Sequence, residues 1–147
     1  MIKVGGVDNI NYLIAMGDLW AQEFAIEDFD IDQWREIVRA YSIYVDHRSL
    51  CFYDELNKPV GMLLGAMTRI PHSGRMVGQI HYIWLTPDHC TNANLYQLHS
   101  EFETWAQGFS AQEITAPDFY PVTETYQDFF QDMGYKTGLP VQIKGLA

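Results

Sequence analysis

The chain has 147 residues, a length that suits one domain with one hydrophobic core. Hydrophobic residues make up 48% of the sequence and charged residues 19%, a globular composition that excludes an intrinsically disordered chain. The net charge is -10 and basic residues are scattered, which argues against binding to nucleic acid or to an anionic membrane. This charge suits an amine or another cationic partner, and equally suits solubility alone.

The cysteines and the N-terminus predict a reduced, cytoplasmic setting. Cys51 and Cys90 are too few for a disulfide framework, and no CxxC or HxxxH metal pattern occurs. The N-terminus lacks the apolar centre of a signal peptide. No apolar run approaches the roughly 20 residues that span a bilayer.

The first part of the chain predicts a short strand followed by two helices. Residues 2–4 form the strand, and Asp8 or Asn9 can cap the first helix. The second helix begins near Asp30, which has capping-box spacing to Gln33. Apolar residues recur at helical spacing in both segments: Ile10, Leu13, Ile14, Leu19, Trp20 and Phe24, then Trp34, Ile37, Val38 and Tyr41.

The middle of the chain predicts three strands in an antiparallel meander. They cover residues 50–53, 60–70 and 76–85, with turns at 55–58 and 71–74. The run 60–70 is almost continuously apolar, which indicates a strand that is buried on both faces.

The last part predicts helices over residues 94–107 and 122–133, separated by a strand at 114–116. Gly108 and Gly134 end the helices, and Pro117 ends the strand. Two final strands are predicted at 135–137 and 141–144. The order β-α-α-β-β-β-α-β-α-β-β predicts one α/β (mixed-sheet α+β) domain over residues 1–147, a single sheet flanked by helices. The alternative is a generic α+β domain with a four-stranded antiparallel sheet.

Three segments carry a resemblance to a known family. They read FYDELNKPVGMLL at 52–64, IHYIWLTP at 80–87 and FFQDMGY at 129–135. In this order and spacing, the chain resembles the GNAT superfamily of N-acetyltransferases over nearly its whole length. The resemblance implies transfer of an acetyl group from acetyl-CoA to an amine of a small molecule or a protein.

The resemblance also implies where acetyl-CoA would bind. Backbone groups on the fourth strand would pair with the pantetheine arm, and the start of the third helix would hold the pyrophosphate through its amides. The positions that match are Ile83, Leu85, Cys90, Thr91, Asn92, Ala93, Asn94 and Leu95.

The predicted pyrophosphate loop departs from the family pattern. Cys90, Ala93 and Leu95 stand where the family has a cation or glutamine and two small residues, and Leu95 fits worst. Two interpretations stay open, an altered CoA site and a helix cap that binds no ligand.

The resemblance points to two catalytic residues. His81 stands where the family often has a glutamate, and a neutral imidazole can act as the base. Phe130 stands where the family has a tyrosine that acts as the general acid, and phenylalanine cannot protonate a leaving thiolate. Tyr126, one turn earlier, is therefore the candidate acid, and Tyr120 is a second candidate. Packing in the core is the alternative for each of them.

A competing hypothesis is a catalytically inactive GNAT-fold protein that binds a partner or has a structural role. In element order and loop loss, the chain loosely resembles a GNAT-like internal virion protein of short-tailed phages, which would place it in the virion. Its partner surface would use exposed aromatics: Trp20, Trp34, Tyr44 and Trp84. The resemblance also implies a homo-oligomer, through the last strand. Cys90 with His89 and His99 lacks an acidic partner, so neither a nucleophile nor a metal site is predicted there.

Overall fold

The computed structural model describes residues 1–4, 9–116 and 124–136. The helices and strands follow the predicted order as far as the fourth helix. Their bounds are β1 Ile2–Val4, α1 Ile10–Glu23, α2 Ile31–Ile43, β2 His47–Tyr53, β3 Pro59–Arg69, β4 Met76–Leu85, α3 Asn92–Gly108, β5 Glu113–Thr115 and α4 Glu124–Asp132. The predictions on Asp8, Pro117, Tyr120 and the strand at 141–144 lie outside the described residues.

The sheet is mixed, as predicted. Strands β1 to β4 form an antiparallel meander, and β5 pairs with β4 in parallel. The parallel pair rules out the alternative with a wholly antiparallel sheet. The β3–β4 register passes from Leu64 opposite Tyr82 to Gly65 opposite Ile80, so His81 is the extra residue of a β-bulge.

The helices cover both faces of the sheet. Tyr82 packs against Trp20 of α1 and Trp34 of α2. Phe102 of α3 packs so closely on Gly65 that a Cβ there would lie 2.4 Å from its ring. Because successive residues of a strand point to opposite faces, the α1–α2 face and the α3 face are opposite sides of the sheet.

The tryptophans belong to the core and not to a partner surface. Trp20, Trp34 and Trp84 are 7%, 3% and 2% exposed, so the predicted aromatic surface is wrong for these three residues. Trp20 and Trp34 are buried because α1 crosses α2 very closely, and Trp84 is buried on the face of β4 that these helices cover. At the crossing, a Cβ on Gly17 would lie 1.9 Å from the Trp34 ring. Tyr44 is 59% exposed.

One predicted N-terminal cap is confirmed and the other is wrong. The Asp30 carboxylate accepts from the amides of Asp32 at 2.9 Å and Gln33 at 3.2 Å, which caps α2. Asn9 precedes α1 but makes no side-chain cap. Its Oδ1 instead accepts from the Tyr53 hydroxyl at 2.6 Å, which ties the start of α1 to the end of β2.

The helix C-termini were harder to predict. Gly134 has a φ of 89° and ends α4, as predicted. Gly108 is the last residue of α3 and does not have a positive φ, so its predicted role as a left-handed cap is wrong, and Ser110 takes the left-handed conformation with a φ of 61°. Ala25 does the same after α1, with a φ of 51°. In each case two hydrogen bonds from backbone amides to carbonyls form a Schellman motif. After α1, Ala25 donates to Gln22 and Ile26 to Ala21. After α3, Ser110 donates to Gln107 and Ala111 to Ala106, and after α4, Gly134 donates to Gln131 and Tyr135 to Phe130.

The strand predicted at 135–137 is wrong for its two described residues. Tyr135 and Lys136 are irregular, because the Tyr135 amide donates to the Phe130 carbonyl in the cap of α4. No described helix has both the length and the apolar character needed to cross a membrane.

Candidate functional site

Among the described residues, the C-terminal half of β4 has an open edge. The parallel pairing covers only Val77 to Gln79, opposite β5. Over the described residues, β4 has no strand partner on that side from Ile80 to Leu85. The Thr86 amide donates toward β3, to the Val60 carbonyl at 2.8 Å. Because amides alternate along a strand, those of Ile83 and Leu85 point toward the open edge.

Tyr126 occupies part of this edge. Its hydroxyl accepts from the Leu85 amide at 3.0 Å, and its side chain is 7% exposed. Burial raises the pKa of Tyr126, so the hydroxyl keeps its proton at neutral pH. Burial also raises the pKa of Cys90, while a hydrogen bond with Tyr126 partly opposes that shift. Tyr126, Leu85 and Cys90 therefore meet where β4 ends.

The start of α3 lies just beyond this meeting point. Thr91 is the N-cap, and its hydroxyl accepts from the Asn94 amide at 3.2 Å. The Leu95 amide donates to the Thr91 carbonyl and its side chain is fully buried, so Leu95 offers nothing to a ligand. Helix geometry leaves the amides of Asn92 and Ala93 at the helix end for an anion.

His81 lies on the α1–α2 face within a chain of hydrogen bonds. Gln79 Oε1 accepts from Thr68 Oγ1 at 2.9 Å and lies 3.3 Å from His81 Nε2, so the ring proton belongs on Nε2. His81 Nδ1 then accepts from the Tyr41 hydroxyl. Burial, with a smaller contribution from His47, lowers the pKa of His81 and favours a neutral imidazole.

The structure does not bring the two predicted catalytic residues together. Tyr126 is hydrogen-bonded to Leu85, four strand residues after His81. At roughly 3.3 Å per residue, the backbone positions of His81 and Leu85 are about 13 Å apart. The lone pair of His81 faces Tyr41 and not the end of β4. Sequence reasoning missed Tyr41, because its hydroxyl reaches His81 across 40 residues of chain.

Glu23 is the other residue that sequence reasoning missed. It is the last residue of α1, and its Oε2 accepts from the Trp84 indole at 2.5 Å. The carboxylate is close enough to raise the pKa values of Cys90 and Tyr126, as a contribution smaller than burial. Nothing in the sequence marked this exposed helix-end residue.

A separate cleft of about 1000 Å³ lies between α3, β5 and α4. On its wall, His99 Nε2 and the Tyr135 hydroxyl are 2.5 Å apart. Burial lowers the pKa of His99, and Glu103 partly opposes this, with 3.6 Å between His99 Nδ1 and the Glu103 carboxylate.

Neither His99 nor His89 forms a cluster with Cys90. His99 is hydrogen-bonded to Tyr135, and His89 is hydrogen-bonded to Thr86. The described residues contain no group of side chains suited to a metal ion.

Solved structures of acetyltransferases share this architecture. The structure of AAC(6')-Iy in complex with the bisubstrate analogue CoA-S-monomethyl-acetylneamine superposes with a TM-score of 0.81 over 100% of this chain and 97% of that chain, at 13% identity. This chain has the GNAT fold. An aminoglycoside 6'-N-acetyltransferase from Acinetobacter baumannii gives 0.78 at 17% identity, over 100% and 98% of the two chains.

Another solved structure with this fold is named as an enzyme that acts on a protein. The ribosomal-protein-alanine N-acetyltransferase from Brucella melitensis biovar Abortus 2308 gives a TM-score of 0.76 at 13% identity, over 99% of each chain. By sequence, no family profile and no curated protein matches the chain. This chain therefore shares the fold of these enzymes with little of their sequence.

Proposed function

We propose that this protein is an N-acetyltransferase that moves the acetyl group of acetyl-CoA to an amine. The observation that carries the proposal is the open edge of β4, which leads directly to the N-terminus of α3. A pantetheine arm carries amide groups that can pair with the unpaired backbone of a strand. A pyrophosphate fits the free amides at a helix start.

Acetyl-CoA would bind this chain almost entirely through backbone groups. The amides of Ile83 and Leu85 would serve the pantetheine arm, and those of Asn92 and Ala93 the pyrophosphate. The 90–95 segment carries no lysine or arginine. Because a cation would add charge-assisted hydrogen bonds, its absence predicts micromolar to sub-millimolar affinity, about 5–8 kcal/mol.

Tyr126 is the proposed proton donor. During transfer the amine nitrogen bonds to the acetyl carbon, the carbon–sulfur bond breaks, and the leaving thiolate needs a proton. The Tyr126 hydroxyl lies at the end of the open edge and is protonated at neutral pH. His81 is the proposed base for the proton that the amine loses. Because it lies about 13 Å along β4 from Leu85, at roughly 3.3 Å per residue, the proton would have to reach its Nδ1 through the Tyr41 hydroxyl and through solvent.

The proposed acceptor is a small cationic amine, with a protein amine as the second class. Several GNAT-fold neighbours are named aminoglycoside 6'-N-acetyltransferases, which supports a small polyamine-like acceptor. The net charge of -10 favours a cationic substrate over an anionic one.

Calorimetric titration with acetyl-CoA tests the proposal, together with an assay for CoA release on a panel of amines. Asn92→Pro is the sharp variant, because proline is tolerated at the first helical position and removes only the amide proposed to face the pyrophosphate. Thr91 before it is already extended, with φ -114° and ψ 158°, as a residue before proline should be. Asn92→Ala keeps the amide and serves as the control.

We expect saturable one-to-one binding for the wild type and for Asn92→Ala, and binding at least fivefold weaker for Asn92→Pro. No binding at millimolar acetyl-CoA would reject the proposal. That outcome would favour the second candidate function, a GNAT-fold binding or structural protein such as a phage virion component. The observation behind the second candidate is that Tyr126 already occupies the Leu85 amide.

A further inference from the structure

The end of α1 holds a carboxylate in a fixed position beside the end of β4. The Trp84 indole is 2% exposed and donates to Glu23 Oε2 at 2.5 Å. A buried indole has one preferred orientation, so this bond restricts a side chain that would otherwise sample several rotamers. Glu23 itself is exposed, so a ligand in solvent can reach its other oxygen.

The position of Glu23 follows from two adjacent residues of β4. Trp84 points to the α1–α2 face and binds Glu23, while the backbone amide of Leu85 points to the open edge and binds Tyr126. The carboxylate and the Tyr126 hydroxyl therefore flank the same strand end. Their electrostatic coupling, and the coupling of Glu23 to Cys90, agree with this proximity.

No described basic side chain neutralises Glu23. None of the ion pairs among residues 1–4, 9–116 and 124–136 includes it, whereas Asp32, Glu36 and Glu113 each pair with an arginine. An exposed carboxylate that is held in place and left unpaired suits an ammonium group, which can donate to its free oxygen.

We propose that Glu23, held by Trp84, binds the ammonium group of a primary alkylamine acceptor. The inference rests on the proposed acetyl transfer, since the Tyr126 hydroxyl, the proposed proton donor, flanks the same strand end. Glu23 selects the acceptor by charge and positions it. The hydrogen bond from Trp84 to Glu23 Oε2 leaves the other carboxylate oxygen of Glu23 for the ligand.

Nuclear magnetic resonance tests this site without any acetyl transfer. The probe is 1,4-diaminobutane, with the neutral 1,4-butanediol as the matched ligand, titrated in the absence of acetyl-CoA at 0.15 M salt. The reporter is the indole N–H resonance of Trp84, assigned through its backbone. Glu23→Gln removes the charge but keeps an oxygen that can accept from Trp84. Glu27→Gln, which neutralises an exposed carboxylate just beyond α1, is the control.

We expect saturable shifts of the Trp84 indole with the diamine in the wild type and in Glu27→Gln, and none with the diol. Glu23→Gln should weaken diamine binding about tenfold or more, since hydrogen bonds to charged groups are the strong ones. Equal diamine binding in wild type and Glu23→Gln, or no saturable shift in the wild type, would overturn the proposal. Diamine binding without acetyl-CoA binding would uphold this site while rejecting the proposed enzyme.

Discussion

Tyr126 shows at the scale of one residue how a candidate catalytic group can also block its own site. Its hydroxyl holds the Leu85 amide, one of the backbone groups proposed for the pantetheine arm. Under the proposed function, acetyl-CoA would therefore have to displace an internal hydrogen bond before it pairs with β4. The helix position of Tyr126 was visible in the sequence, but its partner lies 41 residues away and was not.

Tyr126→Phe should strengthen acetyl-CoA binding while it weakens the fold. Without the hydroxyl, the Leu85 amide loses its acceptor, which should lower the free energy of unfolding by about 1 kcal/mol. The ligand then no longer competes for that amide, so its dissociation constant should fall severalfold by calorimetry. Turnover should fall as well, because the proposed proton donor is gone.

Tyr96→Phe is the control for this change, since Tyr96 lies on α3 and is 56% exposed. It should alter neither stability nor affinity. Weaker acetyl-CoA binding by Tyr126→Phe would show that the hydroxyl helps to hold the ligand and does not compete with it.

At the scale of elements, the helix ends show how far local sequence rules reach. Asp30 caps α2 as predicted, because its side chain accepts from amides only two and three residues ahead. Gly108 does not form the predicted left-handed cap, because it is the last helical residue of α3 and Ser110, two residues later, takes the left-handed conformation. A cap that uses a non-glycine residue leaves no clear mark in the sequence.

Ala25→Gly should stabilise the protein, because Ala25 adopts a φ of 51° that disfavours a residue with a Cβ. The expected gain is up to about 1 kcal/mol, measured by urea unfolding. Gly108→Ala should also stabilise, by up to about 0.5–1 kcal/mol, since Gly108 is the last helical residue of α3, lacks a positive φ, and a Cβ there meets nothing within 4 Å. Gly134→Ala, at a φ of 89°, should destabilise. Stabilisation by that last change would contradict this account of the caps.

Gly17→Ala tests the crossing of α1 and α2. Glycine ordinarily weakens a helix, so local propensity predicts that alanine stabilises here. The structure predicts the opposite, because the new Cβ would lie 1.9 Å from the Trp34 ring, whose indole donates to the Leu13 carbonyl at 3.1 Å. We expect a loss of about 1–3 kcal/mol from overpacking in urea unfolding. A neutral or stabilising result would mean that the two helices can separate without cost.

The whole molecule should lose stability as the pH falls below about 6.5. The pKa values of His81 and His99 lie below their ordinary value of 6.5, mainly through burial. Between the folded and unfolded pKa values, the unfolded chain binds more protons, so the free energy of unfolding decreases as the pH decreases. Their contribution is fully present above pH 6.5 and is lost as the pH falls toward the folded values.

Urea unfolding at pH 7.5 and pH 5.5 measures this dependence. Replacing either buried histidine, by His81→Gln or His99→Gln, should reduce the difference between the two pH values. His72→Gln, in an exposed turn, is the control and should leave the difference unchanged. An identical pH dependence in all four proteins would assign the acid sensitivity to other groups.

The sequence by itself determined the order of elements as far as α4, the mixed sheet and, through the resemblance of three segments to the GNAT superfamily, the fold. The elements follow from periodicity, turns and local capping, which depend on neighbours within a few residues. Tertiary structure alone decided which polar groups meet. It buried three tryptophans that had been predicted for a surface, separated His81 from Tyr126, and placed Glu23 beside Trp84. Such contacts join residues 40 to 61 positions apart, and packing, which has no local signature in the sequence, brings them together.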